Sequence, residues 1–220
     1  MAFCATPFNR SEFKDVIRTA LEFIRKTLES YIVDREEEQD PSYTTGNVVD
    51  LKSVVQPDGA INVTDMTHVT VMLVGIDEER REGKRPYYVP TEDKQFLRLN
   101  PPIELDLFVL FVAHNKNYDT ALRDLSDVLG FFQAHPVFDA KKYPALNESV
   151  SEPDKKPWQL IARLSVTLHS LSFEQQNNLW ALLGSKYLPS VVYRMKMLTL
   201  FETKSDDKVA SIDELNFPKG

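Results

Sequence analysis

The stretch NPPIELDLFVLFVAHNKNYDTALRDLSDVLGFFQAHPVF, residues 100–138, changes its hydrophobic period halfway along, and that change decides the fold class. From Ile103 the apolar residues alternate. Ile103, Leu105, Leu107, Val109 and Phe111 fall on one side; Phe108, Leu110 and Val112 fall on the other, after the polar Glu104 and Asp106. A period of two is a strand, and apolar residues on both sides place it inside a sheet. From Asn117 the spacing becomes three and four. Tyr118, Ala121, Leu122, Leu125, Val128, Leu129 and Phe132 share one helical stripe, with Asp119, Arg123 and Asp127 four apart on the wet face. His135-Pro136 stops the helix.

Working outward, VTVMLVGI (residues 69–76) reads as a second strand apolar on both faces, hence interior to its sheet. It is followed by DEERREGKRP (77–86), four acids and four bases with Gly83 and Pro86, which reads as a hairpin tip. Residues 87–89 and 95–99 are short strand candidates. Residues 48–55 have strand composition, and Pro57-Asp58-Gly59 is a turn. Residues 11–33 predict a long amphipathic helix capped by Ser11, with Glu12 and Asp15 in its first turn. DREEEQD (34–40) then reads as a solvated acidic connector.

Downstream, residues 139–157 are polar and carry Pro144, Pro153 and Pro157, which suggests a surface excursion. Residues 158–168 alternate, with Trp158, Leu160, Ala162, Leu164, Val166 and Leu168 facing in and Ile161 out of phase. Ser172 and Gln175 form a capping-box pattern before a short helix that ends at Gly184. The last strand, residues 191–201, puts Tyr193, Met195, Met197 and Phe201 on one face and Arg194 and Lys196 on the other.

The pattern is therefore an α+β fold: a mixed, largely antiparallel sheet of about six strands, with two long helices and one short helix on one face. Residues 1–204 read as a single domain and residues 205–220 as a polar, loosely held C-terminal tail.

The 220 residues are 42% hydrophobic and 27% charged, and 26 Lys and Arg against 33 Asp and Glu give a net charge of −7. A net acidic surface repels a phosphate backbone, so nucleic acid is not an expected partner. The longest apolar run, residues 107–113, falls far short of the ~20 residues that span a bilayer, so membrane insertion is not expected either. One cysteine, Cys4, makes no internal disulfide and suits a reducing compartment.

Catalytic patterns are missing too. The four histidines, His68, His114, His135 and His169, are scattered, and there is no second cysteine, so no zinc pattern can be written. No glycine pair makes a phosphate-cradling loop, and no serine sits in a nucleophile elbow. No catalytic residue, metal or cofactor is expected. The residues alone leave open an enzyme or small-ligand binder whose site is not legible.

Two segments carry a resemblance: residues 100–138, and LSFEQQNNLWALLGSKYLPSVVYRMKMLTL, residues 171–200. In order they give a proline pair entering a Leu-x-Leu strand, an amphipathic helix ending before His-Pro-Val, a Leu-Ser-x-Glu cap, an LWALLG helix and a Pro-Ser-x-x-Tyr strand. This series resembles the N-terminal domain family of the cap, or tail-terminator, proteins of extracellular contractile injection systems. These are phage-tail-like particles such as the antifeeding prophage and Photorhabdus virulence cassettes.

The resemblance implies a tail-terminator-like fold and a structural role at the baseplate-distal end of the particle. It implies a homohexameric ring over the last layer of inner tube, in contact with the last layer of sheath. It further implies assembly in the bacterial cytoplasm, as part of a particle of a kind that can be released. A baseplate or tube adaptor of the same machine is the alternative. The family has no catalytic residues to carry over.

Candidate assembly contacts come from charge instead. Glu36, Glu37 and Glu38 form an acidic tip and Arg80, Arg81, Lys84 and Arg85 a basic one, which could meet around a head-to-tail ring or stand as two solvated loops. Tyr193, Arg194 and Lys196 would join them if the last strand lay at a sheet edge open to strand addition.

Overall fold

The computed structural model describes residues 16–38, 40–63, 68–79, 87–90, 95–99, 103–148, 160–199 and 208–210. The elements are α1 (Val16–Glu36), β1 (Val49–Leu51), β2 (Val69–Glu79), β3 (Tyr87–Pro90), β4 (Gln95–Leu99), β5 (Ile103–Ala113), α2 (Tyr118–Ala134), β6 (Val137–Asp139), β7 (Arg163–His169), α3 (Phe173–Leu183), β8 (Ser190–Thr199) and β9 (Lys208–Ala210). A 3-10 helix, Pro144–Asn147, lies between β6 and β7. The fold is α+β: six strands in the order β1-β2-β5-β8-β7-β6 form a mixed sheet in which only β1–β2 is parallel.

The long alternating strand at the heart of the sequence, β5, sits at the centre of that sheet, between β2 and β8. Its odd residues Leu107, Val109 and Phe111 are buried against α1 and α2, together with Val69, Val71, Leu164, Val166, Tyr193, Met195 and Met197. Phe132 of α2 meets Phe111 and Tyr193 at ring distances of 5.2 and 4.4 Å. Phe138 of β6, with no exposed surface, packs on Phe23 of α1 at 5.4 Å and Tyr143 at 5.2 Å.

The opposite face is covered at one end by α3. Trp180, Leu179 and Leu183 pack with Met72, Phe108, Leu110, Val112 and Val192. The expected placement of all helices on one face is thus corrected: the even residues of β5 are apolar as well and need their own cover, which α3 supplies.

Capping chemistry sets the helix ends. The Asn117 side chain accepts from Asp119 N–H at 3.1 Å and starts α2. Ser172 and Gln175 make the expected reciprocal capping box, and Gly184, at φ 65°, ends α3 in the left-handed region that favours glycine. Ser11 lies outside the described residues.

Other expectations shift. α1 runs on through Glu36, into the acidic stretch read as connector. α2 is rotated relative to the predicted stripe: Tyr118, Leu122 and Leu129 are exposed, whereas Asp124 and Asp127 are buried. Of the predicted wet face, Asp127 pairs with Arg35 of α1 at 3.2 Å and Arg123 reaches Glu36. Partners on other elements, Arg35 for Asp127 and Tyr43 and His68 for Asp124, make that burial tolerable, and helical periodicity carries no trace of them.

β2 continues to Glu79, three residues beyond the predicted strand. Ile161, the residue out of phase, is fully buried, and Leu168, expected inside, is exposed. The proline-bearing excursion is anchored by buried Leu146 and by Asn147, whose side chain brackets Ile161 N–H and C=O at 2.8 and 2.9 Å. β9 lies within the segment read as a loose tail and pairs with β4, making a second, three-stranded sheet β3-β4-β9.

Candidate assembly surfaces

The acidic tip at the end of α1 is only partly a free surface. Asp34, Glu37 and Glu38 are exposed, but Glu36 turns inward to Arg123 at 3.2 Å. Arg123 also bonds the Tyr43 hydroxyl at 2.9 Å and lies 3.8 Å from Asp40. The Tyr43 hydroxyl donates to Asp124, whose second oxygen is 3.2 Å from His68 Nδ1. Burial, and then the bond to Asp124, push the Tyr43 hydroxyl up, so it stays protonated. Asp40 is held below its usual range by Ser42 and Arg123, so it stays ionised. This network ties α2, the end of α1 and the segment around Tyr43 together. It has no sequence signature, because its members are distant along the chain, Tyr43 and Asp124 by 81 positions.

A second ionic region occupies the outer face of the sheet, beyond the end covered by α3. Asp77 lies opposite Asp106, and Glu79 opposite Glu104, in the β2–β5 register. Like charges directly across a ladder repel. The cations of β8 relieve this: Arg194 is 3.5 Å from Asp106, and Lys196 bonds Glu79 and lies 4.0 Å from Glu104. Alternation along the described part of β8 is as predicted, with Arg194 and Lys196 on this face and Tyr193, Met195 and Met197 buried on the other, while Phe201 lies outside the described residues. β8 is not an edge: β5 and β7 pair with its two sides, so its backbone cannot accept a further strand. Tyr193 is an inner-face packing residue, its hydroxyl pushed up by burial. Arg80, Arg81, Lys84 and Arg85 lie outside the described residues. The structure therefore brings Arg194 and Lys196 together on one ionic face, with Glu36 in a separate seam.

A third surface was not singled out from sequence. Phe173 is 93% exposed and Leu182 86%, with Tyr187 and Leu168 also exposed around α3. A crevice of about 540 Å³ lies along the helix, lined by Phe173, Gln176, Asn177, Trp180, Ser185 and Tyr187. Another of about 270 Å³ opens between α3 and β7–β8, lined by Leu168, His169, Gln176, Leu179, Trp180 and Val192. Helical spacing gave no signal for it, because Phe173 lies seven residues before buried Trp180, on the same stripe, and is exposed nonetheless. Among the described residues no group of three or more metal-ligating side chains converges, and no helix is long and apolar enough to cross a membrane.

Among solved structures, the anti-feeding prophage cap, described as the tube-terminating cap and determined by cryo-EM, matches with a TM-score of 0.52 at 13% identity, over 92% of this chain and 60% of that one. The sheath/tube terminator of PVC, an extracellular contractile injection system, in the extended state, matches at 0.48 and 12% identity, over 87% of this chain and 62% of that one. The chain thus spans about 60% of the length of these structures. The fold is shared with the anti-feeding prophage cap. No protein of curated function matches in sequence. The model of the Pvc16 N-terminal domain family matches residues 19–212, nearly the whole chain, and the chain belongs to that family.

Proposed function

We propose that this chain is a structural cap subunit, a tail terminator, that closes the baseplate-distal end of the inner tube and sheath of a contractile injection system. The observation that carries this reading is the family membership, with a fold shared with a tube-terminating cap. The role is structural and not catalytic. The subunit works as a homohexameric ring whose partners are the tube and sheath proteins, and it is assembled in the bacterial cytoplasm into a particle of a kind that can be released.

The surfaces that suit this role are the exposed acids Glu37 and Glu38 at the end of α1, the ionic face around Arg194 and Lys196, and the apolar surround of α3. Exposed Phe173, beside Tyr187 along the same crevice, is a large apolar side chain that an assembly contact would cover.

Deleting the gene and measuring particles by electron microscopy tests the reading. A terminator's loss leaves the growing end open, giving tails of broad length distribution on normal baseplates. Uniform particles of normal length refute the terminator role. Absence of tails altogether assigns the chain to the baseplate or to a tube adaptor.

A further inference from the structure

One flank of α3 is a groove with no charged side chain in its lining. Phe173 and Tyr187 are its exposed aromatics, Gln176, Asn177 and Ser185 supply amides and a hydroxyl, and Ala181 leaves room between them, around the crevice of about 540 Å³. Trp180 is buried beneath and meets the Tyr187 ring edge-on at 5.8 Å. Its indole Nε1–H is buried and has no hydrogen-bond partner. A buried donor without an acceptor is costly, and an occupant that brings an acceptor removes that cost.

The lining says what such an occupant is. Amide side chains pair with backbone N–H and C=O, aromatic rings take apolar side chains, and nothing there answers a charge. An extended, uncharged segment with an apolar side chain near each end fits. Outside the described residues this chain has one run of more than four residues without a charged side chain: MAFCATPFN, residues 1–9, with Phe3 and Phe8. Extended, those two rings stand ~17 Å apart, against ~12 Å of helix from Phe173 to Ala181, with Ser185 and Tyr187 beyond it.

The segment has to come from a second copy. α1 packs on the inner face of the sheet and α3 on the outer. The Glu36 end of α1 lies beside Arg123 and the residues around His68, whose C=O accepts His114 N–H at the end of β5, the end that α3 covers. Val16 is therefore ~30 Å back along α1, beneath the sheet. Residues 9–15 span at most ~25 Å, too little to bring a chain's own residues 1–9 around the sheet to α3.

We propose that residues 1–9 of one copy lie in the α3 groove of another, with Phe3 and Phe8 against Phe173 and Tyr187 and a backbone C=O between them accepting the Trp180 Nε1–H. Segment and groove are different surfaces, so the contact is heterologous and can run around a ring. It gives the ring proposed above one of its contacts, but is tested on the free chain, apart from the gene deletion that tests the terminator role.

The receptor for the test is the full chain carrying Phe3→Ser and Phe8→Ser, so that its own segment does not compete. The probe is a synthetic peptide of residues 1–9 with Cys4→Ser. Binding is followed by NMR at the Trp180 indole N–H, assigned with Trp158→Phe, and a saturable downfield shift is expected. Ala181→Arg, which puts a charge at an exposed position in the groove, and a peptide that also carries Phe8→Ser are each expected to weaken binding about tenfold or more. In sedimentation velocity the unaltered chain is expected to associate with rising concentration and the doubly substituted chain is not. No shift at millimolar peptide, equal affinity in Ala181→Arg, or association unchanged by Phe3→Ser with Phe8→Ser overturns the proposal. A monomeric unaltered chain whose indole already sits at the shifted position shows the segment folded onto its own groove, and also overturns it.

Discussion

Replacing Glu29 by alanine is expected to cost more than almost any other single polar change in the chain. Glu29 is buried in α1, and its Oε1 accepts three backbone N–H groups, from Gly46 at 3.1 Å, Val48 at 3.2 Å and Val49 at 3.3 Å. Oε2 takes Arg25 at 3.1 Å, and Arg25 in turn donates to Val49 C=O at 3.3 Å. The glycine is exposed, so water replaces the carboxylate there at little cost. Val48 and Val49 are buried, and each orphaned donor costs ~1–3 kcal/mol. Arg25 keeps Glu22 at 2.9 Å, so its own loss is small. The expected destabilisation of Glu29→Ala is about 3–5 kcal/mol. Glu29→Gln keeps an acceptor and loses only the charge assistance, about 1–2 kcal/mol. Urea denaturation measures both, with the midpoint falling and the slope unchanged. Hydrogen exchange at Val48 and Val49 should quicken in Glu29→Ala before global unfolding. A loss below about 1 kcal/mol, with those amides still protected, would refute the argument that one carboxylate fastens β1 to α1.

Phe138→Ala removes a fully buried ring held between Phe23 and Tyr143 and is expected to cost about 3–5 kcal/mol in the same assay. Ser172→Ala and Gly184→Ala each unmake one end of α3 and should each cost about 1 kcal/mol, read as faster exchange along that helix. Lys196→Met leaves Glu79 facing Glu104 without the β8 cation; because the pair is partly exposed, the loss should stay below about 1 kcal/mol and fade in high salt.

The legible part of the fold was the part written in local periods. β5 and α2 appear wherever the spacing switches from two to three and four, and the α3 caps are spelled out by Ser172, Gln175 and Gly184. What was not legible depends on partners far along the chain. The turn of Asp127 inward depends on Arg35, and the bond between Tyr43 and Asp124 on two elements meeting. Ile161 breaks the alternation of its segment because Asn147 holds its backbone where no strand has yet begun. Lys208–Ala210 read as tail because three residues have no period at all; pairing with β4 makes them a strand. The candidate site was legible to the same extent. Alternation put Arg194 and Lys196 on one face, but nothing local could tell that β8 lies inside the sheet and not at its rim.

That position narrows how the proposed cap subunit can join others. The β1 edge presents the N–H and C=O of Val49 and Leu51, and both groups of Val49 are taken by Glu29 and Arg25 of α1. The β6 edge is three residues long and ends where Asp139 C=O accepts Lys142 and Tyr143 N–H. Main-sheet strand addition is thus blunted at both ends, as edges generally are in proteins that avoid indiscriminate pairing. Contacts through side-chain faces remain, and exposed apolar side chains, Phe173, Leu182, Tyr187 and Leu168, surround α3. The double variant Phe173→Ser with Leu182→Ser removes two residues that are 93% and 86% exposed, so chain stability should change by no more than about 0.5 kcal/mol. Its recovery on purified particles should nevertheless fall about tenfold or more against wild type, because burying even one such side chain contributes ~1.5–3 kcal/mol, and the two, nine residues apart, test opposite sides of the helix. Recovery equal to wild type, from a variant with unchanged melting, removes α3 from the contact. The ionic face of Asp106, Arg194 and Lys196 then becomes the surface to reverse, where weakening should depend on salt.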